Sequence, residues 1–302
     1  ARLPGKRFNR NDADDERTVN PDGEIYIFDS EGSQKGMIHI PGFPNTIAFG
    51  KNDRNTLFVT GREAFCSVTC PSQPEYKVLV LTERGGQHEN FAAAALKWLD
   101  RYASDNNLEI TVINNTNAID EDYLRNFKVF IQLDYPPYNW SEKAIPAFVR
   151  YIEEGLGGWI GFHHATLLGE FDGYPMWTWF SGFMGSIRFD NYIAEKASAR
   201  VNVEDPGHPV MQGVSSSFVL DNDEWYTFNK SPRPNVKVLA TVDESTYDPP
   251  SDIKMGDHPV VWVNEKMKAR NAYFLMGHDQ SLFDSNDFTR MFANAVRWAS
   301  GN

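Results

Sequence analysis

Cysteine is nearly missing from this chain of 302 residues, which holds two. They lie close together, as Cys66 and Cys70 in Phe65-Cys66-Ser67-Val68-Thr69-Cys70. That spacing is neither a zinc ribbon, which needs two Cys pairs, nor a Cys-x-x-Cys redox motif. Same-face residues of one strand stand too far apart for a disulfide, so both are read as free thiols. Long apolar runs are missing too, and none reaches the length of a membrane-spanning helix. Basic residues are in the minority, 29 against 41 acidic, for a net charge of −12. With no local basic stripe to offset it, such a surface repels nucleic acid and an anionic membrane surface. There is no Gly-x-Gly-x-x-Gly fingerprint and no His-Glu-x-x-His. The first residue is Ala1 rather than methionine, which is compatible with a cleaved secretion signal.

Apolar residues make up 41% and aromatics 14%, enough for a sizeable core. The length suits one large domain with an appendage, or two domains. Residues 1–20 carry few apolar side chains and read as a mobile tail. Over 21–72 short strands alternate with turn signals: Glu24–Phe28, Gly36–Ile40, Thr46–Phe49, Thr56–Thr60 and Ala64–Val68. Even spacing of this kind predicts a β-meander. It cannot bury both its faces alone, so it needs the rest of the chain, or a second copy in a homodimer, as cover. Pro71 to Glu75 reads as a linker.

From 73 to 302 strands alternate with helices, which predicts an α/β fold with a mostly parallel sheet and helices on both faces. Lys77–Thr82 is a buried strand, and Asn90 can cap a helix over Phe91–Ala103. A strand over Leu108–Ile113, a short helix over Asp120–Asn126 and a strand over Lys128–Asp134 follow. Ser141 can cap a helix that ends at Gly155. Gly158-Trp159-Ile160-Gly161-Phe162 is the fourth strand, running directly into His163-His164. Gly161 reads as room for another backbone. Phe171–Phe189, rich in aromatics, reads as a long connection over the strand ends. Further strands are expected at 199–203, 236–241, 259–263 and 272–276, and a closing helix at 286–298.

Four strand ends then converge. They carry Glu83, Arg84, Gly86 and His88; Asp134; His163 and His164; and His278 and Asp279. Open α/β sheets hold ligands along the carboxyl edge of their strands. Asp223-Glu224-Trp225-Tyr226 adds carboxylates. A neutral histidine exchanges protons near neutral pH, and a neighbouring glutamate can orient it or act as base. His163, His88 and Glu224 are therefore the catalytic candidates. His278, Asp279, Arg84, Gly86 and Tyr226 are the candidate substrate contacts, with Trp140 and Trp177 as stacking platforms for sugar rings. The set calls for no organic cofactor, but the same His and Glu side chains can ligate a divalent metal. His208 and His258 precede prolines and read as turn residues.

From about Tyr76 to Gly301 the chain resembles the ThuA-like family, linked to trehalose utilisation and built on a flavodoxin-like, class I glutamine amidotransferase-like fold. The resemblance rests on Leu79-Val80-Leu81-Thr82 with Gly85-Gly86 and His88, on Gly157 to His163, on His208-Pro209-Val210 with Gly213, on Asp223 to Tyr226, and on Gly277-His278 followed by Asn294 to Ala299. It implies an amidotransferase scaffold with His163 at the elbow where relatives keep a nucleophilic cysteine, hence no glutaminase chemistry. It implies carbohydrate-related work: an enzyme acting on a sugar or keto-sugar by isomerisation or hydrolysis, a non-catalytic sugar-binding module, or a metal-dependent hydrolase. Asp22 to Asp29 and Asn55 to Thr60 resemble one blade of a gluconolactonase- or regucalcin-type propeller. A propeller site needs several blades, so the segment implies no lactonase centre. The blade and Ala1 together lead to the expectation of a periplasmic or secreted protein whose partner is a small carbohydrate.

Overall fold

The computed structural model describes residues 22–28, 32–41, 44–49, 56–61, 65–69, 74–83 and 86–301. The expected tail at 1–20, Cys70 and Arg84 lie outside the described residues. The chain divides into two compact units, Ala1–Gln73 and Pro74–Asn302.

In the first unit, β1 (Asp22–Phe28) pairs antiparallel with β2 (Gln34–Pro41). A separate antiparallel sheet takes β3 (Pro44–Phe49), β4 (Thr56–Gly61) and β5 (Phe65–Thr69). Inward-facing Ile25, Ile40, Leu57 and Val59 make a small core of their own.

The second unit runs β6 (Lys77–Leu81), α1 (Glu89–Asn106), β7 (Glu109–Ile113), α2 (Glu121–Leu124), β8 (Val129–Gln132), α3 (Ala144–Glu154) and β9 (Gly158–Phe162). It continues with α4 (Thr178–Phe183), β10 (Phe189–Tyr192), β11 (Ala197–Val203), β12 (Ser217–Asp223), β13 (Tyr226–Phe228), β14 (Lys237–Asp248), β15 (Pro259–Val263), β16 (Asn271–Phe274) and α5 (Asn286–Ala299). Nine strands form one sheet in the order β12-β11-β14-β15-β16-β9-β8-β6-β7. The block β7-β6-β8-β9-β16 is parallel throughout. Counted along the chain, that block has the flavodoxin-like order, whose strand sequence reverses between β6 and β8. Beyond β16 the pairing turns antiparallel, as the short connections there permit.

The local causes are readable. Phe91, Ala95, Leu99 and Ala103 recur every four residues and give α1 its buried stripe. Asp120 caps α2 by accepting the Tyr123 N–H at 2.9 Å. Gly155 ends α3 in the left-handed conformation, φ 72°. Two expected caps move. Asn90 lies inside α1, which is entered through a 3-10 turn over Gly86–His88. Ser141 lies before the start of α3, its hydroxyl donating instead to the Thr116 carbonyl at 2.9 Å. The connection expected at 171–189 holds α4, whose Phe180 and Phe183 are core residues.

Side chains alternate across β9. Phe162 packs on Phe91 of α1 and on Phe288 and Phe292 of α5. Trp159, on the other face, packs on Phe180 and Phe183 of α4. The glycines of this strand make both contacts fit. A Cβ on Gly158 would sit 2.2 Å from the Ala299 carbonyl oxygen. A Cβ on Gly161 would sit 2.1 Å from the Trp159 indole, so the space at Gly161 serves a side chain rather than the neighbouring backbone.

Candidate functional site

β9 ends at Phe162, and the chain enters a 3-10 turn over His163–Thr166. His163 begins it with φ 34°, a left-handed value uncommon for any residue but glycine. The turn is buttressed from β16: the Tyr273 hydroxyl donates to the His163 carbonyl at 3.0 Å and meets the Thr166 hydroxyl at 2.6 Å. The result directs the His163 ring inward. It is fully buried, 3.9 Å from the Tyr226 ring. Its Nδ1 donates to the Leu275 carbonyl at 2.8 Å, and its Nε2 lies 3.1 Å from Glu224 Oε2.

Three more imidazoles surround it. The His88 ring stands 5.1 Å from His163, 4.5 Å from His164 and 4.7 Å from His278. His164 donates through Nδ1 to the Asp134 carbonyl at 2.7 Å, which leaves its Nε2 as the lone-pair nitrogen in the neutral ring. His278 Nε2 lies 3.8 Å from Glu224 Oε1. Burial, reinforced by the neighbouring rings, lowers the pKa of His88 and of His163. Burial also lowers those of His164 and His278. The group is thus a cluster of neutral imidazoles beside two carboxyls of the cavity, Glu224 and Glu83, both raised above their usual range by burial, Glu83 lying 4.0 Å from His164.

The loop carrying His278 is pinned from β12. Asp223 accepts the backbone N–H groups of Gly277, His278 and Asp279 at 3.1, 2.9 and 3.2 Å. Burial pushes the Asp223 carboxyl up to about 7, against the pull of those donors. His258, beyond its turn position, is buried: Nε2 donates to the Tyr226 carbonyl at 2.9 Å and Nδ1 lies 2.9 Å from Glu244 Oε1. It thereby holds the segment that carries Tyr226. His208 caps a 3-10 turn, accepting the Val210 N–H at 3.2 Å.

A cavity of about 310 Å³ opens over this cluster, lined by Glu83, Gln87, His88, His164, Leu167, Phe171, Phe189, Tyr192, Glu224 and Tyr226. Of the residues expected from the sequence, His88, Glu224 and Tyr226 face it. His163 and His278 lie behind, in reach of Glu224 rather than of the cavity. Gly86 opens the turn that delivers His88. Asp279 is engaged elsewhere, paired with Lys196 at 2.5 Å and accepting from Ser281 N–H at 2.9 Å. Trp140 and Trp177 line a different cavity, of about 280 Å³, with Tyr138, Tyr174 and Met176. Their rings meet edge to face at 5.3 Å and bridge to the core through Phe148, so they do not reach the histidines.

Sequence reading left His164 unassigned and missed the wall residues Phe171, Phe189 and Tyr192. The signal for His164 was its place beside His163; for Phe171 and Phe189 it was the aromatic-rich connection over the strand ends, and for Tyr192, at the end of the four-residue β10, there was none. His88, His163 and Glu224 can hold a metal ion, since one ligand atom from each lies within 4.8 Å of the others. No cysteine lines the cavity among the described residues, and His163 occupies the elbow.

Residues 77–299 match the family model described as ThuA, trehalose utilisation. No curated protein sequence matches the chain. Among solved structures, a ThuA-like protein from Bacteroides uniformis is 27% identical, covers 77% of this chain and 94% of its own, and superposes with a TM-score of 0.68. A ThuA-like protein from Parabacteroides merdae is 14% identical, with 75% and 90% coverage and a TM-score of 0.56. A Salmonella typhimurium protein described as cytoplasmic is 16% identical, with 74% and 99% coverage and a TM-score of 0.51. The secreted or periplasmic setting expected from the sequence finds no support among these relatives. With the matched segment spanning most of its length, the chain belongs to the ThuA, trehalose-utilisation, family.

Proposed function

We propose that this chain is an enzyme acting on a sugar or keto-sugar bound in the His/Glu cavity. The observation that carries the reading is the lining of that cavity, which joins polar side chains to a contiguous group of aromatic rings. His88, His164 and Glu224 supply the polar groups, and Phe171, Phe189, Tyr192 and Tyr226 line it with rings that pack on one another at 4.9 to 6.5 Å. Sugar rings present C–H faces that pack on aromatic rings and hydroxyl edges that need placed polar groups. The family's link to trehalose utilisation points the same way.

Within this reading His164 takes the proton. Its Nδ1–H is committed to the Asp134 carbonyl, so Nε2 is held as an acceptor beside the cavity. Glu224 and His88 engage the sugar's oxygens. His163 acts through Glu224, as a positioning residue rather than a catalytic one, because its ring does not reach the cavity. In isomerisation that proton comes from the carbon beside the sugar's carbonyl, and in hydrolysis from the attacking water.

The test is turnover on a panel of disaccharides and their keto derivatives. His164→Ala and Glu224→Gln are each expected to lower kcat by about 100-fold to 10,000-fold, the usual worth of a positioned acid or base. Wild-type rates in both variants would sink the assignment. Saturable sugar binding with no product in the wild-type chain would establish a binding module instead.

A further inference from the structure

At the cavity one buried atom, His88 Nε2, has no partner among the described residues, and just behind it one contact, His163 Nε2 to Glu224 Oε2, depends on what lies between the two atoms. His163 donates its Nδ1 proton to the Leu275 carbonyl. Its Nε2 in the neutral ring is therefore a lone pair, and it faces Glu224 Oε2, an acceptor when ionised, at 3.1 Å. Two lone-pair atoms at that separation need a proton or a cation between them. His88 Nε2 is buried and has no hydrogen-bond partner among the described residues, an arrangement that costs stability unless something engages it.

We propose that His88, His163 and Glu224 form a binding site for one divalent transition-metal ion of the zinc type. One ligand atom from each of the three lies within 4.8 Å of the other two. Metal–nitrogen and metal–oxygen bonds of about 2.0–2.2 Å put adjacent ligands of a tetrahedral ion about 3.3 Å apart. The His163–Glu224 separation of 3.1 Å already fits that edge, and a ligand atom of His88 lies within 4.8 Å of both. The Leu275 carbonyl supplies what metal-bound histidines ordinarily have, an acceptor on the far nitrogen that fixes the ring and its tautomer. Two imidazoles in a set of three favour zinc-class ions over magnesium or calcium, which take oxygen. His88 and Glu224 border the cavity, so the fourth position opens towards a bound molecule, as catalytic rather than structural sites do. An ion there would be the means by which Glu224 and His88 engage a sugar oxygen.

Ion binding needs no sugar, so this proposal and the sugar reading fail separately. The full chain is stripped with chelator, then titrated with Zn²⁺ by calorimetry, with metal content checked by mass spectrometry. Co²⁺ is used in parallel for its tetrahedral absorption bands. The expected result is one equivalent per chain. His88→Ala and Glu224→Gln are each expected to weaken it by about 100-fold or more and to abolish the cobalt bands while the far-ultraviolet circular dichroism is unchanged. Absence of binding in the wild-type chain overturns the proposal. So does wild-type affinity in both variants, which places the ion elsewhere. Stoichiometric metal without sugar turnover upholds the ion site and overturns only the sugar enzyme.

Discussion

Asp223 shows how one side chain fixes a site it does not enter. It accepts three consecutive backbone N–H groups from the Gly277–Asp279 loop, from full burial. Asparagine at this position keeps one oxygen but turns an NH₂ group toward a backbone donor. Asp223→Asn is expected to destabilise the fold by about 2–4 kcal/mol, the scale of a buried charge-assisted network left partly unsatisfied. Urea unfolding followed by circular dichroism reads this directly, and a loss below about 0.5 kcal/mol would contradict the role. The adjacent Glu224 illustrates what sequence shows and hides at this scale. It was legible as one of a carboxylate pair, but β12, the strand that leads to it, was not expected. The end of an apolar strand marked His163, yet one positive φ turns that ring under the floor, and no residue pattern encodes a single dihedral. Trp140 and Trp177 were legible as buried aromatics, but a core aromatic and a ligand platform have the same composition around them.

At the level of the element, β9 is the hinge between sequence and site. Its run Gly158 to Phe162 was legible as a strand because a fully buried parallel strand is apolar throughout. The alternation that sends Trp159 to α4 and Phe162 to α1 and α5 needs the helices in place before it has meaning. Gly161 is the sensitive point. The Trp159 indole lies across it, leaving 2.1 Å to an added Cβ. Gly161→Ala is expected to cost about 1–3 kcal/mol, as overpacking of a dense core does. It should also shift the fluorescence of Trp159, since the indole must move. A variant with wild-type stability would show that the ring has room to give. The antiparallel strands beyond β16 were only partly legible: β11, β14 and β15 carried regular apolar runs, whereas β12 was not expected, and β10 and β13, which pair with each other in a separate sheet, are too short for a period.

For the whole molecule, the two units have separate cores. The larger cluster draws every buried member from beyond residue 77, and the smaller consists of Ile25, Ile40, Leu57 and Val59. A domain whose core is complete in itself folds alone. Residues 74–302 expressed without the first unit are expected to unfold in one cooperative transition with the zinc and sugar responses of the full chain. Thermal scans of both would decide it, and an aggregated or molten 74–302 product would show that the first unit is needed.

The place of β16 beside β9 carries a consequence for how the protein comes into being. These neighbours are residues 271–274 and 158–162, and Leu275 supplies the carbonyl that holds His163. During synthesis the ribosome therefore releases β9 as an open edge, with its histidine turn unbuttressed, long before its partner exists. Contacts of such separation are slow to form, and an exposed apolar edge invites pairing with other chains. A nascent chain halted before residue 271 would be an aggregation-prone species with no working site. The pocket is thus one of the last things the polypeptide acquires, although most of its histidines are made early.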